Sequence, residues 1–196
     1  MLRGREEAKE MSFVFCANRA VQASAYIINH RARQTTKLEL VKLLYFADRL
    51  SIQKQGCPIT GDDLYALDHG PIVSRILDLI NDSPLTSSRD RVIWSSNIEI
   101  GQDHVLYVKH DPGNDELSEY EIELLDEILR KYGHLTASQL IHEAHELPEW
   151  IKCHVDGASK PILLSEIAKA VGRESDLPDM EGARELDLEL AQLQGG

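Results

Sequence analysis

Few residues of this chain are of a type and spacing that could do chemistry. His142 and His145 stand three residues apart, so on a helix they would share a face and could hold one ion. The pair is not H-E-x-x-H, because only two residues separate the histidines, and no third ligand is obvious although Cys153 and His154 follow. The plainer reading makes His145 structural, hydrogen-bonded near Trp150. Asp62 and Asp63 follow Gly61 in a turn-rich connector. Paired carboxylates can bind Mg²⁺ or move protons, but in a turn they more simply form an Asx-type cap on backbone amides of the connector itself. Together with His142 and His145 they define one catalytic alternative, a small metal-dependent hydrolase. His69-Gly70-Pro71 resembles a loop of the kind found in active sites. Its simpler role is conformational: Gly70 permits an unusual backbone angle and Pro71 sets a helix start. No Ser/His/Asp or Cys/His order, no phosphate-binding G-x-x-x-x-G-K-[ST] and no G-x-G-x-x-G after a strand is present. No catalytic residue, cofactor or metal is therefore assigned, and a binding protein is expected rather than an enzyme.

A second group of polar residues has the types that build interfaces. Lys42, Tyr45, Asp48 and Arg49 fall on the polar or boundary face of a helical stretch, with Tyr65, His69 and Arg75 close behind in sequence. Tyr and Arg are common interface anchors, so these seven residues form the expected partner-facing groove. A solvated face or an internal polar network is the competing reading.

The elements that must position these groups are mostly helices. Phe13, Ala17, Ala20, Val21, Ser24 and Ile27 recur at three- and four-residue spacing, which predicts an amphipathic helix over 13–30 ending in a polar break at 31–34. Thr36-x-x-Glu39 has the form of a capping box and opens a second helix that Gly56 and Pro58 close. Residues 64–67 read as a short extended or irregular piece, and Pro71 restarts a helix with Ile72, Val73, Ile76, Leu79 and Ile80 as its apolar face. Residues 81–90 read as a polar loop. Between 91 and 109, Val92–Trp94, Ile98–Ile100 and Val105–Val108 are β-branched and aromatic, which predicts two or three strands with a hairpin at 101–103. Ser118-x-x-Glu121 and Thr136-x-x-Gln139 are two further capping boxes, each flanked by a hydrophobic staple, Leu117 with Ile122 and Leu135 with Leu140. A short helix follows at 165–171. The expected fold is mainly α (α+β): a compact helical domain at 13–172 with one small antiparallel hairpin or sheet near 91–109. An N-terminal lead-in precedes it at 1–12. The acidic tail at 173–196 is either disordered or docked as one helix.

Composition narrows the partners. The chain has 196 residues, 42% hydrophobic and 28% charged, with a net charge of −12. The charge is lopsided: residues 1–57 carry +5 and residues 58–196 carry −17. Such a surface disfavours nucleic acid and speeds encounter with a basic partner, although solubility alone would also account for it. No apolar run reaches the ~18–20 residues of a membrane span and the N-terminus has no signal-like apolar stretch, so a cytoplasmic location is expected. Three cysteines without a C-x-x-C pair argue against a disulfide scaffold. Cys16, set among apolar residues, reads as a small buried hydrophobe.

Four blocks in this order also resemble a known family: KLELVKLLYFAD at 37–48, PITGDDLYALDHGPIV at 58–73, LSEYEIELLDEILRKYG at 117–133 and LIHEAHELPEW at 140–150. Together they are similar to the Panacea domain of SocA-like antitoxins and phage-associated GepA-like proteins, over roughly residues 15–170. Gly61, Asp62, Asp63, Gly70, Pro71, His145 and Trp150 fall on the motif, whereas Leu67 and His69 depart from its usual aromatics before Gly-Pro. The resemblance implies an antitoxin of a bacterial or phage toxin–antitoxin system, which neutralises by direct binding a cognate toxin encoded next door. In the SocA branch it also implies an adaptor that delivers the toxin to a ClpXP-type protease.

Overall fold

A computed structural model of the chain describes residues 13–31 and 34–194. The expected lead-in at 1–12 and the middle of the break at 31–34 lie outside the described residues. The fold is mainly helical, with nine α-helices and two three-stranded antiparallel sheets among the described residues. No helix among them is long and apolar enough to cross a membrane.

Helix α1 (Ala17–His30) leads to strand β1 (Thr35–Thr36) and the central helix α2 (Lys37–Gln55). A hairpin of β2 (Leu64–Leu67) and β3 (Gly70–Val73) follows, then α3 (Ser74–Ile80) and α4 (Ser88–Asn97). Strands β4 (Ile98–Ile100) and β5 (Val105–Val108) form a second hairpin. The remainder is α5 (Glu119–Tyr132), α6 (Ala137–His145), α7 (Pro148–Cys153), β6 (Lys160–Pro161), α8 (Leu164–Ala170) and α9 (Leu177–Gln194). One sheet has the order β1-β5-β4, the other β3-β2-β6.

Everything is arranged around α2. Helices α1, α5, α6 and α8 and strand β3 pack against it from different sides. Leu40, Val41, Leu43, Leu44, Tyr45, Phe46 and Ala47 are consecutive core residues apart from Lys42, and that lysine is buried as well. A helix surrounded on all sides has no outer face, so its polar side chains must find partners inside the protein. Three expected capping boxes are present with both bonds made, at Thr36/Glu39, Ser118/Glu121 and Thr136/Gln139. The helix α2 ends at Gly56 in the left-handed region, φ +86°.

Several expectations are corrected. Val92–Trp94 is helical, not extended: the Ser87 side chain accepts from the Asp90 amide to start α4, and Trp94 turns inward to the core. The third strand of that sheet comes instead from Thr35 and Thr36, paired with Leu106 and Val105. Gly70-Pro71 opens a strand rather than a helix. Gly70, at φ +90°, closes a two-residue turn that pairs it with Leu67, and α3 starts only at Ser74. Pro71 is tolerated because β3 is an edge strand and needs no amide at that point. The first helix starts at Ala17, not Phe13, and residues 13–16 run over Gly61. Cys16 is only half-buried there. Pro148 starts a short helix, α7, that spacing did not announce. The tail contains an 18-residue helix, docked through Met180, which is 3% exposed.

Candidate functional site

Lys42, Tyr45, Gly70, Pro71, His145 and Trp150 converge on one region, where α2 passes beneath the β2–β3 hairpin and α6 and α7 close over the hairpin tip. Lys42 is fully buried and its Nζ donates to the Pro71 carbonyl at 2.7 Å. That carbonyl points off the edge of the sheet. Desolvation lowers the Lys42 pKa to about 7. A side chain on residue 70 would sit 2.9 Å from Lys42 Nζ, 3.1 Å from Ala144 and 3.3 Å from the His145 ring, so glycine is required there for space as well as for backbone angle.

One turn further along α2, Tyr45 donates to Glu149 Oε1 at 3.1 Å and Arg49 Nε donates to the same oxygen at 2.6 Å. Glu149 comes from the first turn of α7, 104 residues from Tyr45, and is 1% exposed. Burial, reinforced by the Glu149 charge, pushes the Tyr45 hydroxyl well above its ordinary range. Asp48 holds the connector: its Oδ1 accepts from the Ile59 and Thr60 amides at 2.9 Å and its Oδ2 accepts from the Thr60 hydroxyl at 2.5 Å. Burial raises its pKa to about 6 despite these three donors.

The Asp62-Asp63 pair divides its work. Asp62 accepts from the Arg75 and Ile76 amides at 2.7 and 2.9 Å. It therefore caps the first turn of α3 from outside that helix, where Val73, the residue at the N-cap, offers no side-chain acceptor. Burial pushes its carboxyl up to about 8, against the lowering by the two amides. Asp63 pairs with Arg75 Nε at 3.0 Å. Gly61 takes φ +67°, and a Cβ there would lie 2.2 Å from the Val14 carbonyl.

The hairpin tip is gripped from above. Trp150 Nε1 donates to the Leu67 carbonyl at 2.9 Å and His145 Nε2 lies 3.1 Å from the Asp68 carbonyl. The Trp150 ring is stacked between His145 at 4.1 Å and His154 at 4.5 Å. His154 Nε2 and the Gly157 amide both reach Asp68 Oδ1 at 3.0 Å, and these bonds hold the Asp68 carboxyl below its usual range. Burial, helped by the Lys42 charge, lowers the His145 pKa.

The expected partner-facing groove is not built from all seven of its residues. Lys42, Tyr45 and Asp48 have no exposed surface and Tyr65 is 7% exposed, because α2 lies at the centre of the molecule. Arg49 and Arg75 are half-buried in ion pairs with Glu149 and Asp63, and His69 is exposed at the hairpin tip. The internal polar network is the reading that fits Lys42, Tyr45, Asp48 and Arg49, while His69 stays at the surface. The hydrolase constellation does not assemble either. Among the described residues, the three ligand-type side chains whose atoms lie within 4.8 Å of one another are Asp68, His154 and Asp156, not His142, His145, Asp62 and Asp63. Sequence reasoning missed Glu149 and Asp68, and noted His154 only as a neighbour of the histidine pair. For Glu149 a signal existed: an acid right after Pro148 marks a helix first turn.

A further buried pair fixes the far end of α2. Arg31 Nη1 meets Glu39 Oε2 at 2.8 Å, while Arg31 Nε and Nη2 donate to the Gly133 and Leu135 carbonyls at 2.9 and 2.6 Å. Glu39 feels the raising effect of burial, but bonds from Arg31 and Thr36 hold it below its ordinary pKa. One guanidinium thus joins α1, the α2 capping box and the α5–α6 connection.

Comparison with known proteins addresses this same region. No curated protein and no solved structure matches the chain. The model of the family described as antitoxin SocA-like, Panacea domain, matches residues 40–151. That span begins in the buried stripe of α2, includes the Gly-Pro hairpin and ends one residue past Trp150. It covers more than half of the chain, which therefore belongs to the SocA-like antitoxin family, Panacea domain.

Proposed function

We propose that this protein is the antitoxin of a toxin–antitoxin pair and neutralises its toxin by binding it directly, without catalysing a reaction. The observation that carries this reading is the family match over residues 40–151. The geometry is in keeping with it. The titratable groups with the largest shifts, Lys42, Tyr45, Asp48 and Asp62, are buried and engaged by their own chain. They are better placed to hold a scaffold rigid than to meet a substrate. The excess of acid after residue 57 suits a basic partner by electrostatic steering.

The test is co-expression with the product of the adjacent gene, followed by purification. Toxicity of the neighbour alone, relief by this protein and a stoichiometric complex are the expected results. Absence of both relief and complex would overturn the reading. Following the neighbour's half-life in the same cells separates masking, in which the toxin persists, from delivery to a ClpXP-type protease, in which it disappears.

A further inference from the structure

Helix α9 has two apolar faces, and the fold uses one of them. At 3.6 residues per turn, Leu177, Met180, Leu188 and Ala191 lie on one side. On that side Met180 is 3% exposed and packs against Gly56, and Asp187 Oδ2 accepts from the Val14 amide at 2.9 Å. Just before the helix, Arg173 Nη1 donates to the Ile52 carbonyl at 3.1 Å at the end of α2. The helix is therefore fixed to the body along its first part and at Asp187.

The other face is uncovered. Ala183, Leu186, Leu190 and Leu193 fall within about 80° of one another on the opposite side. The three leucines are 56%, 48% and 80% exposed. Spacing of i, i+4 and i+7 on an anchored helix is the pattern by which one helix presents a stripe to another surface. Glu189, with Glu185 one step further round, flanks one edge of the stripe, and α9 as a whole holds five acidic residues against one basic, Arg184. A second copy of the chain would bring these acidic edges against each other, which disfavours self-pairing. A partner with an apolar ridge flanked by Lys or Arg would match both the stripe and its acidic edge.

We infer that the outer face of α9, Leu186, Leu190 and Leu193 bordered by Glu185 and Glu189, is the docking surface for a basic amphipathic helix of the toxin. The helix lies beyond the matched span at 40–151, so it is a part of this chain that the family model does not describe. The inference rests on the antitoxin reading and adds to it the element that makes the contact.

The experiment uses the full-length protein and the product of the adjacent gene. Leu186→Ser, Leu190→Ser and Leu193→Ser are combined in one variant, and Glu185→Lys with Glu189→Lys in another. All five positions are on the surface, so the melting temperature serves as the check on folding. The leucine variant is expected to bind at least ~100-fold more weakly. The charge variant is expected to lose ~10-fold, mainly in association rate, with its salt dependence flattened. Unchanged binding by the leucine variant, while the wild type binds tightly, overturns this inference and leaves the antitoxin reading intact. Failure of the wild-type protein itself to bind overturns both. A wild-type dimer in sedimentation that becomes a monomer in the leucine variant would assign the stripe to self-association and also overturn the inference.

Discussion

Two regions of this molecule satisfy polar groups in opposite ways. Around α2 and the β2–β3 hairpin, the bonds span the chain: Tyr45 to Glu149 across 104 residues, Trp150 to Leu67 across 83, and His145 to Asp68 across 77. In the α5–α6 region the helix starts are closed from within, Ser118 with Glu121 and Thr136 with Gln139, each three residues apart. The first arrangement buries charge and completes it only when distant elements arrive. A fault there leaves a charge or donor stranded in the interior. The second adds small, separable increments, each confined to one helix start. Glutamate thus acts as a joint commitment at Glu149 and as part of an independent cap at Glu121.

The largest effect should come from Glu149→Ala, which strands the Tyr45 hydroxyl and the Arg49 guanidinium beneath α7. A loss of about 3–5 kcal/mol is expected in urea unfolding. Replacing Arg49 by Met in the same chain should recover part of it, because the unpaired charge is then gone. A single-mutant loss below about 1 kcal/mol, in the range of exposed pairs, would place this ion pair in the surface class and break the contrast. Asp62→Ala comes next. It removes the acceptor for two amides in the first turn of α3, and about 2–3 kcal/mol should be lost. Hydrogen exchange at Arg75 and Ile76 should rise ahead of the rest of the helix. Unaltered exchange at those two amides would show that the cap is dispensable.

How much of this is legible beforehand follows from the range of each interaction. The capping boxes are complete within four residues, so they can be read directly and are found where expected. Apolar spacing identifies α2 as a helix. It also assigns Lys42 and Asp48 to an outer face, and that inference fails because five elements enclose the helix. Nothing local to Lys42 says that Pro71 waits 29 residues away. Gly70-Pro71 carries a turn signal common to helix starts and hairpins, and only the pairing of β3 with β2 decides between them. Val92–Trp94 has strand-type side chains. Its Ser87 cap and the inward turn of Trp94 override that preference. In the candidate site, the motif residues Gly61, Gly70, Pro71, His145 and Trp150 are legible from type and order. Their partners Asp68 and His154 are not, because each is defined by a contact made only after folding; Glu149 is legible as a helix-start acid but not as the partner of Tyr45 and Arg49.

The buried lysine sharpens the contrast through pH. Its pKa is about 7 in the folded protein and near 10.5 when exposed, so between these values the unfolded chain binds the extra proton. Stability contributed by this site therefore rises with pH across that window, and below about pH 7 the full cost of burying the charge is present. Against Lys42→Met, which has no titration, the wild type should gain about 2 kcal/mol between about pH 7.5 and about pH 9. His145 faces the same amine, but its lowered pKa leaves it neutral throughout that interval. Asp62 titrates in both proteins and cancels in the difference. A difference between the two proteins that stays flat with pH would mean that Lys42 is not desolvated as its burial implies.

The smallest effects belong to the local region, and there additivity is the informative quantity. Ser118→Ala and Thr136→Ala each remove one side-chain acceptor at a helix start, and each should cost about 1 kcal/mol in urea unfolding. The two caps open different helices and share no hydrogen-bonding partner. Their costs should therefore sum to within about 0.5 kcal/mol in the double variant. The equivalent pairing in the long-range region, Tyr45→Phe with Glu149→Ala, should fall well short of the sum, because both substitutions break the same bond. Strong coupling between Ser118 and Thr136 would show that the α5–α6 region also folds as one interlocked unit. The caps would then have to communicate through the helix that separates them.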